Sequence, residues 1–278
     1  MIYDIDGTQL NAVYDAEGQN VSQVYDVEGN QLFSSADIVV MTYNVQWFTG
    51  INNNQSMQES ILETYSPDVI GFQEFQKATE SEVPALATTL LSGTYQVEMG
   101  NYGNKNALAS KHTMTNFTTI EHTQQAQDGQ SYSTAHITIN GKDILLVVSH
   151  VATSSFESKK LDQIEEIFNA VENVEYFIIM ADFNTTCKSV NDTEYTTIMK
   201  QFVDAGYNCA NCTEQHGFND TWTDGNSVSG TWYPCDNIIT SDNIDMNTVI
   251  IDTTKIDVAA LNGKTIDHLP IITYLTVT

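Results

Sequence analysis

Asp182 and Asn184 stand at the end of the apolar run Ile178-Ile179-Met180-Ala181-Asp182-Phe183-Asn184. A carboxylate and an amide are hard oxygen donors, suited to a divalent cation or to hydrogen bonds with phosphate oxygens. In extended chain, residues two apart share a face, so the spacing predicts that Asp182 and Asn184 enter one pocket while Phe183 packs below. A buried carboxylate needs a cation, an imidazole or several donors. Four other places repeat the theme. Asn44 follows the apolar run 38–43, Gln73-Glu74 follows 69–72, Ser149-His150 follows 144–148, and Asp236 begins the run 237–239. Asp267-His268 precedes the last apolar segment, and an acid beside an imidazole orients the ring and raises its basicity. Glu74 and Asn44 together would suit Mg²⁺ or Mn²⁺. Singly, each residue reads as a turn former or a satisfied histidine; the repetition at strand ends indicates a built site.

The elements that must position these groups alternate in type. Strands are expected at 38–43, 69–72, 95–99, 107–110, 116–121, 131–139, 144–148, 176–181, 237–239, 248–251 and 270–277. Helices are expected at 56–65, 80–91, 156–171 and 194–205. In the third, Phe156, Leu161, Ile164, Ile167, Phe168 and Val171 fall on one broad apolar face. Gly-rich βαβ turns are missing, so mixed sheets sandwiched by helices fit better than a doubly wound nucleotide-binding fold.

Residues 1–36 read as a separate appendage before a domain over 37–278. Tyr3-Asp4-Ile5-Asp6-Gly7, Tyr14-Asp15-Ala16-Glu17-Gly18 and Tyr25-Asp26-Val27-Glu28-Gly29 recur every eleven residues, each predicting a short strand–turn–strand. Such units are too small to make a core alone, which suggests docking, self-association or attachment to a larger assembly such as a phage particle. Asp-x-Asp/Glu-Gly also raises a structural Ca²⁺, although each unit has few oxygen ligands.

Composition narrows the partners. Ten cations, all lysine, face 36 acids, for a net charge of −26. A basic patch for nucleic acid is not evident. An anionic substrate would have to be held by a divalent cation and local donors. No apolar stretch is long enough to span a membrane, and MIYDIDGTQL is not a secretory signal; a cytoplasmic or particle-associated location is expected. Cys187, Cys209, Cys212 and Cys235 allow two disulfides or four reduced thiols; a lone CxxC is weak support for zinc.

Taken in order, Thr42-Tyr43-Asn44-Val45-Gln46-Trp47, Gly71-Phe72-Gln73-Glu74, Asn106-Ala107-Leu108-Ala109-Ser110-Lys111, Ser149-His150-Val151, Ala181-Asp182-Phe183-Asn184, Cys235-Asp236-Asn237-Ile238 and Asp267-His268-Leu269-Pro270 resemble the motifs of the endonuclease/exonuclease/phosphatase superfamily. The resemblance implies an α/β (α+β) four-layer sandwich of two mixed β-sheets flanked by helices, and metal-dependent phosphoester hydrolysis. It implies a metal site of Glu74, Asn44 and Asp267. It gives Asp182 the attacking water, Asn184 the phosphate and that water, His268 the scissile phosphate with Asp236 orienting it, and His150 a second imidazole. The second histidine is found in deoxyribonuclease I-like and sphingomyelinase-like members, which tilts the chain away from abasic-site endonucleases. Lys105 and Asn106 would contact substrate. Ala181 and Lys111 replace the family's usual Gly and Arg. Cys187 stands where deoxyribonuclease I has a disulfide cysteine, implying a Cys187–Cys235 bridge and leaving Cys209–Cys212 as the second pair. The substrate class implied is nucleic acid first, with small phosphate esters or phospholipid head groups as the alternative.

Overall fold

The structure, a computed structural model, describes residues 36–45, 60–75, 94–100, 106–125, 130–223, 232–251 and 268–278, with short strands at 13–14, 20–21, 23–25 and 31–34. The N-terminal strands β1 (Val13–Tyr14) and β2 (Asn20–Val21) pair antiparallel, as do β3 (Gln23–Tyr25) and β4 (Gln31–Ser34). These two pairs flank the second and third repeats; the first repeat lies outside the described residues.

Two mixed six-stranded sheets follow. The first contains β5 (Ile38–Asn44), β6 (Val69–Gln73), β7 (Gln96–Met99), β8 (Ala107–Ser110), β17 (Ile244–Ile251) and β18 (Ile271–Val277), in the order β17-β18-β5-β6-β8-β7. The second contains β9 (Thr115–Glu121), β10 (Ser131–Ile139), β11 (Lys142–His150), β12 (Phe177–Asp182), β13 (Asn208–Cys209) and β16 (Asp236–Thr240), in the order β13-β16-β12-β11-β10-β9. A two-residue pair, β14 (Trp222–Thr223) with β15 (Trp232–Tyr233), stands apart. Each sheet has one parallel pair at its centre, β5 with β6 and β11 with β12.

Both faces of each sheet are covered, so the central strands are apolar throughout rather than alternating with polar residues. Ile38, Val40 and Val69 of the first sheet pack with Leu146, Val148 and Ile178 of the second in one core. Met41, Tyr43, Ile70 and Phe72 form the outer layer of the first sheet with Ile61 and Leu62 from a helical turn at 60–65. Phe177, Ile179 and Ala181 pack outward from the second sheet onto Ile164, Ile167 and Val171 of the helix Glu157–Val171. Gly71 permits a close approach of the sheets: a Cβ there would lie 2.5 Å from the Met180 Cβ.

The expected strands are all present, with ends shifted by a residue or a few. Two differences are instructive. Phe156 does not join the apolar face of its helix; it ends a 3₁₀ turn, Ser154–Phe156, and is 40% exposed. Expected as one helix over 194–205, the chain instead forms a π-helical turn, Tyr195–Met199, running into Lys200–Asp204. The expected helix over 80–91 lies outside the described residues. Among the described residues, no helix is long and apolar enough to cross a membrane.

Candidate active site

Period-2 alternation decides which side chains enter the space between the sheets. On β5, Ile38 and Val40 face the shared core, so Thr42 and Asn44 continue that row. On β6 the row runs Val69, Gly71, Gln73; on β11, Ile144, Leu146, Val148, His150; on β12, Ile178, Met180, Asp182. On the antiparallel β16 it runs from Ile238 to Asp236. Each inward row is apolar through the middle of the sandwich and polar at one end. Register then aligns those ends. His150 and Asp236 are the cross-strand partners of Asp182 on either side, and Asn44 is the partner of Gln73.

Asp182 Oδ2 is the hub. Asn44 Nδ2 donates to it at 3.0 Å, His150 Nε2 lies at 3.4 Å and His268 Nε2 at 3.6 Å. Asn44 Nδ2 also reaches Glu74 Oε1 at 3.3 Å, and His150 Nδ1 lies 3.8 Å from the same oxygen. The other face of His268 is fixed by Asp236, with Nδ1 to Oδ2 at 2.9 Å. Asp236 is held from behind, its backbone N–H donating to Thr221 Oγ1 at 3.0 Å. Burial pushes the Asp236 carboxyl up to about 6, with the His268 ring pulling down and Asp182 adding to the rise.

Glu74 and Asn184 share a backbone feature. Each follows a central strand at positive φ, 53° and 49°, a left-handed conformation rare for side chains other than glycine. Such positions cost on the order of 1–3 kcal/mol and persist only where the surroundings hold them. The turn changes what Asn184 does. Its N–H donates to Asp182 Oδ1 at 2.8 Å and its side-chain Nδ2 to Val151 O at 2.9 Å, so the amide is directed to the neighbouring loop. The extended spacing expected for Asp182 and Asn184 therefore ends at Phe183, which does pack outward in the core beneath the helix.

Asn106 stands beside this edge, since the antiparallel pairing of Phe72 with Ala107 places it next to Gln73. It is buried, donates Nδ2 to Ser131 O at 2.8 Å, and has no partner for Oδ1 among the described residues. Lys105 and Asp267 lie outside the described residues. The expected disulfides are not formed: all four cysteines are buried free thiols, and Cys187 is hydrogen-bonded to Cys212 rather than joined to Cys235. Cys235 Sγ instead donates to Thr185 O at 3.1 Å.

The sequence marks Gln73 as a polar strand end without a role and does not single out Thr221. Gln73 Nε2 donates to Thr42 Oγ1 at 3.1 Å and to Met180 O at 3.2 Å, tying the two sheets together directly beneath the site. A glutamine on the inward row after Val69 and Gly71 was the available signal.

The donors fit a hard divalent cation. Glu74, Asp182 and Asp236 converge, and among the described residues no lysine is paired with any of them; their partners are imidazoles and amides. Asp182, Asp236 and His268 offer ligand atoms within 4.8 Å of one another. The Glu74 side offers a carboxylate and the Asn44 amide without breaking the His268–Asp236 hydrogen bond.

A family profile described as "Endonuclease/Exonuclease/phosphatase family" matches residues 41–245. No curated protein matches the chain. Among solved structures, the endonuclease/exonuclease/phosphatase from Bacteroides vulgatus is 16% identical with a TM-score of 0.67, the match covering 87% of this chain and 99% of that one. D. rerio TDP2 complexed with a single-strand DNA product is 16% identical with a TM-score of 0.64, over 86% and 99% of the two chains. The human Nocturnin catalytic domain with bound sulfate is 16% identical, with a TM-score of 0.64 over 87% and 93%. At these identities the likeness is one of fold.

Proposed function

The chain belongs to the endonuclease/exonuclease/phosphatase family, whose members are phosphoric ester hydrolases, and from that membership we propose a divalent-metal-dependent phosphodiesterase, a nuclease of the deoxyribonuclease I type. The observation that carries this reading is Asp182 Oδ2 set between two imidazoles, His150 at 3.4 Å and His268 at 3.6 Å, with the Glu74 carboxylate alongside.

Glu74 and Asn44, with Asp267, would hold Mg²⁺ or Mn²⁺, which when bound supplies positive charge against the phosphate's non-bridging oxygens. Asp182 orients the attacking water and takes its proton as the new P–O bond forms. His268, its Nδ1 anchored on Asp236, presents Nε2 to a phosphate oxygen, and His150 presents a second donor from the neighbouring strand. As the old P–O bond breaks, the leaving oxygen takes a proton from an imidazole or from solvent. No covalent enzyme intermediate is required. Asn184 acts mainly by backbone, holding the Asp182 carboxylate through its N–H. Asn106 Oδ1, buried at the same edge without a partner among the described residues, is a substrate or water contact in this reading, with Lys105 beside it in sequence.

DNA as substrate is supported by the nucleic acid bound in the structurally similar D. rerio TDP2. One observation favours a smaller phosphate ester: with a net charge of −26 and no arginine, the surface field repels a polyanion. Plasmid nicking in Mg²⁺, run beside phosphate release from small monoesters and phosphocholine release from lipid, separates the two. Nicking lost in Glu74→Ala supports the nuclease; monoester or head-group release without nicking supports the second reading. Residues 1–36 are proposed as a docking or self-association module, which a change in elution volume on deleting 1–35 would test.

A further inference from the structure

The helix Glu157–Val171 carries two polar residues on its buried stripe. Lys160 and Gln163 are both fully buried, on the face shared by Ile164, Ile167 and Val171. A buried ammonium without partners is unfavourable by several kcal/mol. Lys160 Nζ has two partners: Glu194 Oε1 at 2.6 Å and the main-chain oxygen of Asn184 at 3.2 Å. Glu194 in turn accepts from the Thr186 hydroxyl at 2.7 Å and from the Thr186 N–H. Burial works to raise the Glu194 carboxyl, but the hydrogen bonds from Lys160 and Thr186 outweigh it and hold it below its ordinary value. The pair thus grips the chain on both sides of Thr185.

Gln163 grips the adjacent loop. Its Oε1 accepts from Ala152 N–H at 2.7 Å, and its Nε2 donates to Gln124 O and Gln130 Oε1. Val151, beside Ala152, donates its N–H to Asp182 O at 3.1 Å and accepts from Asn184 Nδ2. One helix face therefore holds both loops, immediately after His150 and immediately after Asp182.

We propose that Lys160 is a positioning residue for the hydrolytic site: by binding the Asn184 carbonyl it keeps Asn184 left-handed, and so keeps the Asn184 N–H on Asp182 Oδ1. This rests on the phosphodiesterase reading above. Stability alone does not account for the lysine. Apolar replacements of buried ion pairs are often neutral or stabilising, and a leucine or methionine would continue the stripe. Only geometry at the loop requires a cation at this point.

The test compares Lys160→Met, Lys160→Arg and Glu194→Gln in the full chain. Mg²⁺-dependent hydrolysis of bis(p-nitrophenyl) phosphate is measured together with hydrogen–deuterium exchange over 184–186. Lys160→Met should lower kcat by about 10-fold or more with KM little changed, because a small misplacement of a reacting group is enough for that loss. The amides of 184–186 should exchange faster while those of 177–181 stay protected. Lys160→Arg, which keeps the charge, should restore most of kcat. Wild-type kcat and wild-type exchange in Lys160→Met would overturn the proposal. If that variant does not fold, Glu194→Gln decides: it keeps the shape and removes the charge, and unchanged kcat with unchanged exchange rejects the brace. A wild-type protein that is itself inactive would reject the phosphodiesterase reading instead, a result distinct from active enzyme indifferent to residue 160.

Discussion

His268 Nδ1 lies 2.9 Å from Asp236 Oδ2 in a buried pair, which leaves Nε2 as the atom the ring turns toward the rest of the site. The carboxylate fixes both the orientation and the protonated nitrogen, as an acceptor behind an imidazole does in general. The pairing depends on β12 and β16 placing Asp182 opposite Asp236, so that one ring can bridge the two acids.

Replacing Asp236 by Asn should lower kcat about 10²-fold, the scale of one acid–base contribution. The pH profile carries a second signature. The folded carboxyl titrates near 6, above its unfolded value of about 3.9. Its protonated form favours the fold, so this contribution is fully present below the unfolded value and is lost as pH rises through about 6. Activity runs the other way, since only the ionised form anchors the imidazolium. Wild-type kcat/KM should rise through about pH 6, and Asp236→Asn should lack that limb; an identical limb in the variant assigns it to another group.

Gly71→Ala tests the packing that brings the two sheets together. The new Cβ would stand 2.5 Å from the Met180 Cβ, a distance real side chains do not adopt. The loss of stability should be about 1–3 kcal/mol, seen as a lower denaturant midpoint. Removing the Met180 Cβ at the same time relieves the clash, so Gly71→Ala with Met180→Gly should cost less than the two single changes summed. Additive costs would show that the sheets do not meet at this point.

The four thiols give a chemical test. All are buried, and burial pushes the Cys209 thiol up to about 12. The native protein should therefore resist alkylation, and unfolding without reductant should release four reactive thiols per chain. Two or four protected cysteines in the unfolded, unreduced chain would instead establish the disulfides expected from sequence.

Much of this site could be read before any fold was known, for a definite reason. Polar residues ending apolar runs are conspicuous, and period-2 alternation carries Asn44, His150, Asp182 and Asp236 into the same space once the sheets face each other. What escaped reading depended on long-range contact. Lys160 and Gln163 look like solvent-facing breaks in an amphipathic helix until Asn184 and Ala152 are seen above them. The left-handed turn at Asn184 has no glycine to announce it, and Phe156 fits the apolar period yet falls in the turn before the helix begins. Strands of two residues, such as β13 and β14, are defined by their pairing with β16 and β15, which local sequence does not announce. Cysteine pairing was inferred from resemblance, whereas in the fold Cys187 is hydrogen-bonded to Cys212.

The central claim is that the polar ends of both sheets form one metal-dependent hydrolytic centre. Its most direct test is hydrolysis of bis(p-nitrophenyl) phosphate by the full chain during titration with Mg²⁺ after chelator treatment, for wild type, Glu74→Gln and Asp182→Asn. The account predicts no turnover without metal, saturable recovery in wild type, and a loss of about 10²-fold or more in each variant. Turnover that persists in chelator, or that survives both substitutions, would contradict it.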